Sequence, residues 1–168
     1  MRTSRFFLLS ILAAGTLAQT AAAQRSGQEW VQSCRNNRWN DSRVTHCEVR
    51  EVRIPARGTL RVDGAQNGGV SVRTHEGRDV VVQARVQTWA RSDDAARDIA
   101  GRIRVNTDGT IRATGPEQSG GRNGGWGVSY EILVPARTDL NVEAHNGPIS
   151  VERVAGDMEL RTVNGPIT

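Results

Sequence analysis

Lysine is absent from this 168-residue chain, and all 22 of its basic side chains are arginine. A P-loop therefore has no candidate for the lysine that reaches a bound phosphate. The glycine-rich run from Gly115 to Gly127 (GPEQSGGRNGGWG) reads instead as a mobile loop. An excess of either charge is nearly as scarce. The formal net charge of +4, less the two charges of Arg2 and Arg5 near the N-terminus, is +2. Acidic and basic residues alternate in runs such as EVREVR (Glu48 to Arg53), which favours a mixed, solvated surface over a face built for nucleic acid. Cysteine is limited to Cys34 and Cys47. They form no Cys-x-x-Cys pair, so a zinc site that would enlist His46 lacks the usual ligand spacing. In an oxidising compartment the two are expected to form a disulfide, which stabilises the fold by about 3 kcal/mol in the chain-entropy view.

Long apolar runs are confined to the N-terminus. Arg2 and Arg5 form a basic region, Phe6 to Leu17 is mostly apolar, and Ala21-x-Ala23 supplies small residues for cleavage before Gln24. This is the pattern of a secretory signal peptide over residues 1–23, too short and alanine-rich to span a bilayer stably. No cysteine follows the cleavage point, so a lipid anchor is not expected. The mature chain should be soluble, without a membrane span, and periplasmic or extracellular. It divides into an N-terminal segment, 24–47, holding the disulfide, and one domain over 48–168 with enough residues for a core.

What the chain does have is repetition. Near its C-terminus Asn146-Gly147-Pro148-Ile149-Ser150 recurs as Asn164-Gly165-Pro166-Ile167-Thr168, a shift of 18 residues. The same shift carries Leu140 onto Met158 and Val142 onto Leu160. Apolar residues two apart mark strands with one buried face. Asn-Gly between them is the pair best suited to a tight turn with positive φ. A longer repeat relates IPARGTLRVDGAQNGGVSV (Ile54 to Val72) to VPARTDLNVEAHNGPISV (Val134 to Val151), with one residue deleted. It aligns Pro55-Ala56-Arg57 with Pro135-Ala136-Arg137 and Asn67-Gly68 with Asn146-Gly147. Two short strands on a period near 20 predict an all-β β-solenoid; the alternative is a β-sandwich or roll in which equivalent hairpins recur without coiling.

One helix interrupts this pattern. In ARSDDAARDIAGRIRV, Ser92 is a cap, Asp93 and Asp94 suit the positive helix start, Ala95, Ala96 and Ile99 share a face, and Gly101 is the expected stop. Strands resume at Ile103/Val105 and Ile111 around an Asp108-Gly109 turn. They resume again at VSYEILVP, with Val128, Tyr130, Ile132 and Val134 on one face.

The tandem N-G-x-[IV]-[ST] turns, each preceded by an L-x-V strand, and the helix-bearing insertion ending in YEILVP resemble the bacterial putative-adhesin domain family. These are exported domains of unknown function. The resemblance runs from Glu48 to Thr168. It implies a right-handed β-helix-like fold and offers no catalytic residues to carry over. Such domains continue through further rungs, so the second Asn-Gly-Pro-Ile reads as an incomplete C-terminal rung.

Candidate sites are few. Asn67, Gly68, Asn146, Gly147, Asn164 and Gly165 are assigned to structural turns, with the asparagine amides stacking as a ladder. Trp126, among glycines, is the candidate ligand contact, since an exposed indole can stack on a sugar or anchor a partner; packing back onto the strands is its alternative. Trp30, Trp39 and Trp89 present the same two alternatives, and Trp30 and Trp39, which flank Cys34, are expected around the disulfide. His46, His75 and His145 fall in separate segments, Ser71 and Ser150 lack a nucleophile elbow, and Asp93/Asp94 belong to a helix start. No catalytic, metal or cofactor site is read, and the chain is not expected to be an enzyme. The leading expectation is an adhesin-like protein contacting envelope glycan or protein. A structural envelope component self-associating through its C-terminal edge strand comes second, and a wall-polymer hydrolase last.

Overall fold

Residues 27–36, 43–117 and 124–168 are described by a computed structural model. The signal-peptide segment, Trp39 and part of the glycine-rich loop lie outside the described residues. Helix α1 covers 27–36. It is followed by β1 (Val44–Pro55), β2 (Leu60–Asp63), β3 (Val70–Thr74), β4 (Asp79–Ala90), α2 (Asp93–Arg102), β5 (Arg104–Asn106), β6 (Thr110–Thr114), β7 (Gly125–Val134), β8 (Leu140–Asn146), β9 (Ile149–Glu152) and β10 (Met158–Asn164).

The architecture is all-β, with two five-stranded sheets in the orders β1-β4-β7-β3-β9 and β10-β8-β2-β6-β5. Alternation places one face of each sheet in a shared core. Val70, Val72, Val80, Val82, Val86, Val128, Ile132 and Ile149 come from the first sheet, and Leu60, Val62, Ile111, Leu140 and Val142 from the second. Each such side chain, fully buried, stabilises the fold by about 1.5–3 kcal/mol relative to exposure.

Both sequence repeats appear as strand register. β8 and β10 run parallel with Leu140 beside Met158, Val142 beside Leu160 and Asn146 beside Asn164. The bridge between Ile149 and Ile167 keeps the same 18-residue shift. The longer repeat pairs Leu60 with Leu140 and Val62 with Val142, and then Val70 with Ile149 and Val72 with Val151. Its one extra residue is taken up at Ala65, whose φ is 54° and whose N–H is accepted by Asp63 Oδ1 at 2.8 Å.

Strand order departs from chain order. β2 sits between β6 and β8, and β3 between β7 and β9. The first repeat unit thus lies between the second unit and the strands β6 and β7. β1, β4 and β7 pair antiparallel, as do β5 and β6, which a plain coil of parallel rungs does not contain. The longest strands, β1 and β4, lie outside the repeats apart from Ile54 and Pro55 at the end of β1.

The two helices cover opposite faces of the first sheet. α2 begins as expected, with Ser92 Oγ accepting from the Ala95 N–H at 3.3 Å. Its buried face is Ala96 and Ala100, with Ile99 half-buried and Ala95 exposed. The helix runs through Gly101 and stops at Arg102, because Ile103 leaves it extended and fully buried. Arg50 on β1 donates to the C-terminal carbonyls of Ala100 at 2.8 Å and Ile103 at 2.7 Å, which suits the negative end of the helix. On the outer face, α1 is tied to β1 by the Cys34–Cys47 disulfide, as the cysteine count predicts. Trp30 on α1 places its ring 5.9 Å from the Arg85 guanidinium, a cation–π contact.

Candidate functional site

The Asn67-Gly68 and Asn146-Gly147 turns come together near the Trp89 end of β4. Positive φ is the sequence expectation for Gly68, Gly147 and Gly165, and none of them has it; among the described residues the positive-φ glycines are Gly58, Gly109, Gly124 and Gly156. Their reason is close approach. A Cβ on Gly147 would stand 2.3 Å from Gly68 O, one on Gly165 2.2 Å from Gly147 O, and one on Gly68 1.9 Å from Val128 O. Successive turns therefore stack backbone on backbone, with no room for a side chain. Between the last two turns the amide ladder forms: Asn164 Nδ2 donates to Asn146 Oδ1 at 2.9 Å. The bulge at Ala65 shifts the first turn, so the Asn146 N–H is accepted by Gln66 O rather than by Asn67.

The bare turns leave a cleft of about 640 Å³ on the outer face of the first sheet. Its floor is Gly68, Gly69, Gly127 and Gly147, and its polar rim includes Thr45, Gln87, Asn67 and Asn146. Gly127 is bare for the same reason as the turns, since a Cβ there would meet Asn67 O at 2.7 Å. Trp89 forms the apolar wall. Inward residues on β4 are Val86, Thr88 and Ala90, so Trp89 faces out; it is half-buried and lies against Gly125, where a Cβ would fall 2.6 Å from its ring. An aromatic wall over a backbone floor, rimmed by amides and a hydroxyl, can hold a flat ring and hydrogen-bond its edge.

No family model and no curated protein matches the chain. Among solved structures it is similar to a putative adhesin from Parabacteroides merdae ATCC 43184 at 6% identity and TM-score 0.38, over 68% of this chain and 43% of that one. It is similar to a putative adhesin from Bacteroides fragilis NCTC 9343 at 10% identity and TM-score 0.37, over 71% and 61%. A third, a putative lipid binding protein from Parabacteroides distasonis ATCC 8503, is matched at 10% identity and TM-score 0.35, over 72% and 50%. The chain spans about half the length of these structures. Likenesses this low say nothing of activity, which has to be argued from the cleft.

Trp126 does not provide the exposed indole. It is only 9% exposed, belongs to the core, and its Nε1–H donates to Pro116 O at 2.9 Å. The register explains this: Trp126 pairs with inward Thr88, whereas Gly125 pairs with outward Trp89. The alternation Val80, Val82, Ala84, Val86 was the available signal for β4, and it puts Trp89 on the open face. The histidines stay apart. His46 lies 3.2 Å from Glu48 on β1, His75 Nε2 contacts Asp79 O at 2.6 Å, and His145 is exposed at the end of β8.

Beside the cleft, further along the outer face, Glu131 is buried with Arg73 and Arg85 both paired to it. Burial, and then the nearby Arg73 charge, lower the Arg85 pKa from its ordinary value. A buried carboxylate held by two guanidiniums is satisfied structurally and reads as support for the sheet.

Proposed function

We propose that this chain is an exported, non-catalytic, adhesin-like binding module, a short β-solenoid-like stack that holds envelope glycans in the Trp89 cleft. The supporting observation is the cleft itself. Stacked glycines keep its floor free of side chains, and the one outward indole of β4 stands beside it. A pyranose ring presents an apolar C–H face to an indole and hydroxyls to amides, which matches Trp89 with Gln87, Asn67 and Asn146. The 18-residue parallel register of β8 and β10 supports the solenoid-like reading. The disulfide fits an oxidising, extracytoplasmic location. The neighbouring structures called adhesins agree with this reading but do not carry it.

The test is retention of the purified chain on immobilised cell-envelope polysaccharides. Trp89→Ala should weaken binding about thirtyfold, as truncating an aromatic anchor worth about 2 kcal/mol does. Trp30→Ala, which touches Arg85 outside the cleft, should leave it within about twofold, as an energetically near-neutral position does. Equal retention of the wild type and Trp89→Ala would sink the proposal.

A further inference from the structure

A second recess opens at the other end of β4. Val80 and Trp89 are nine residues apart, which is about 30 Å in an extended strand. At the Val80 end, the β1–β2 and β5–β6 turns and the β7–β8 connection enclose about 850 Å³. Ile54, Leu60 and Ile111 form its inner wall, and Arg57, Arg61 and Arg137 stand around it.

The arginines are placed by the repeat. Leu60 pairs with Leu140, and three residues back in each segment Arg57 and Arg137, each closing a Pro-Ala-Arg, line the same recess. Arg61 pairs with Asn141 on one side and Thr110 on the other. All three are exposed. Among the described residues none of the three has an ion pair or a side-chain hydrogen bond, whereas Arg50, Arg73, Arg85, Arg97 and Arg102 each hold a carboxylate. Asp108 and Asp139 also line the recess. Asp139 Oδ1 is engaged by the Asp157 N–H at 3.0 Å. Three cations against two anions leave a net charge of +1. Neighbouring like charges without a shared counter-ion work against folding. A repeated unpaired arginine is therefore a cost that a bound anion would offset.

We infer that this recess binds a phosphate monoester, with Arg57, Arg61 and Arg137 holding its terminal oxygens. A carboxylate offers two oxygens and one charge, whereas a phosphate monoester offers three terminal oxygens and nearly two charges, a closer match to three guanidiniums. Ile54 and its neighbours offer an apolar wall to whatever bears the phosphate. That carrier is either a sugar or a lipid, and the experiment separates them. The site is independent of the Trp89 cleft and does not rest on the glycan reading.

Calorimetric titration of the purified chain with galactose 1-phosphate tests the soluble source. Flotation with phosphatidylcholine vesicles, with and without phosphatidic acid, tests the lipid source. Binding to either probe supports the inference and names the carrier. Arg57→Gln/Arg137→Gln should weaken it by about a hundredfold, about tenfold for each charge-assisted hydrogen bond removed. Arg35→Gln/Arg91→Gln removes the same charge elsewhere and should leave affinity within about twofold, because screened distant charges contribute little. Failure of both probes to bind in the millimolar range would overturn the inference. So would equal weakening by the two double variants, or galacturonate binding as tightly as galactose 1-phosphate.

Discussion

Replacing Gly147 with alanine tests the backbone-on-backbone stacking that builds the cleft. The new methyl would stand 2.3 Å from Gly68 O, 2.6 Å from Gly68 C and 2.9 Å from Gly69 N. An ordinary carbon–oxygen contact is about 3.3 Å or more, so the turns must separate by about 1 Å. All three atoms are main chain and cannot swing aside. The bonds joining these turns, Asn146 N–H to Gln66 O at 3.1 Å and Val70 N–H to Pro148 O at 2.9 Å, would stretch with them. Overpacking of this kind destabilises by about 1–3 kcal/mol, and one weakened hydrogen bond adds about 1 kcal/mol. Against this, an alanine restricts the unfolded chain and recovers about 0.4–1 kcal/mol. The clash wins, and the expected net loss is about 1–3.5 kcal/mol. Urea unfolding followed by far-ultraviolet circular dichroism, at unchanged slope, measures it. Gly101→Ala, in α2 with nothing within 4 Å, is the counterpart and should gain about 0.5–1 kcal/mol. Asparagine separates close approach from positive φ, since it tolerates left-handed backbone. Gly147→Asn should be as damaging as alanine, while Gly109→Asn, at φ 75° in open space, should be nearly neutral. A Gly147→Ala chain as stable as the wild type would refute the stacking argument.

Acid and reductant should each remove a defined contribution. Burial alone would raise the Glu48 carboxyl, but hydrogen bonds from Arg50 and His46, and their charges, outweigh it and hold the pKa below the usual carboxylate range. A depressed folded-state pKa contributes stability above the unfolded value, lost as pH falls through the folded one. The melting-temperature advantage of the wild type over Glu48→Gln should therefore be full near neutrality and shrink below pH about 4. A gap constant across that range would contradict the assignment. The Cys34–Cys47 disulfide closes a sequence separation of 13, and Cys34→Ser/Cys47→Ser should lose about 3 kcal/mol in thermal unfolding. An unchanged melting temperature with and without reductant would show that α1 is held by other contacts.

Some of this molecule is legible in local order. The 18-residue shift became strand register because parallel neighbours must present the same side chain to the same core face. Ser92 with Asp93 and Asp94 marked the start of α2, and Asp108-Gly109 marked the β5–β6 turn, since caps and turns are decided within a few residues. The cysteines could pair only with each other.

Tertiary structure decided the rest. No local feature says that β2 lies between β6 and β8, because strand neighbours are chosen by which edges are free when sheets assemble. Asn-Gly sequences suggest positive φ, yet Gly68 is required by the backbone of Val128 on β7, and Gly147 and Gly165 by the backbone of the turn stacked before each. Likewise a tryptophan among glycines suggests exposure, but pairing with Thr88 turned Trp126 inward and left Trp89 facing the cleft. Period and propensity are properties of neighbouring residues, so the sequence by itself determined the repeat, the helix start and the disulfide. Close approach and side-chain direction depend on what lies across a sheet, and only the assembled sheets settle them.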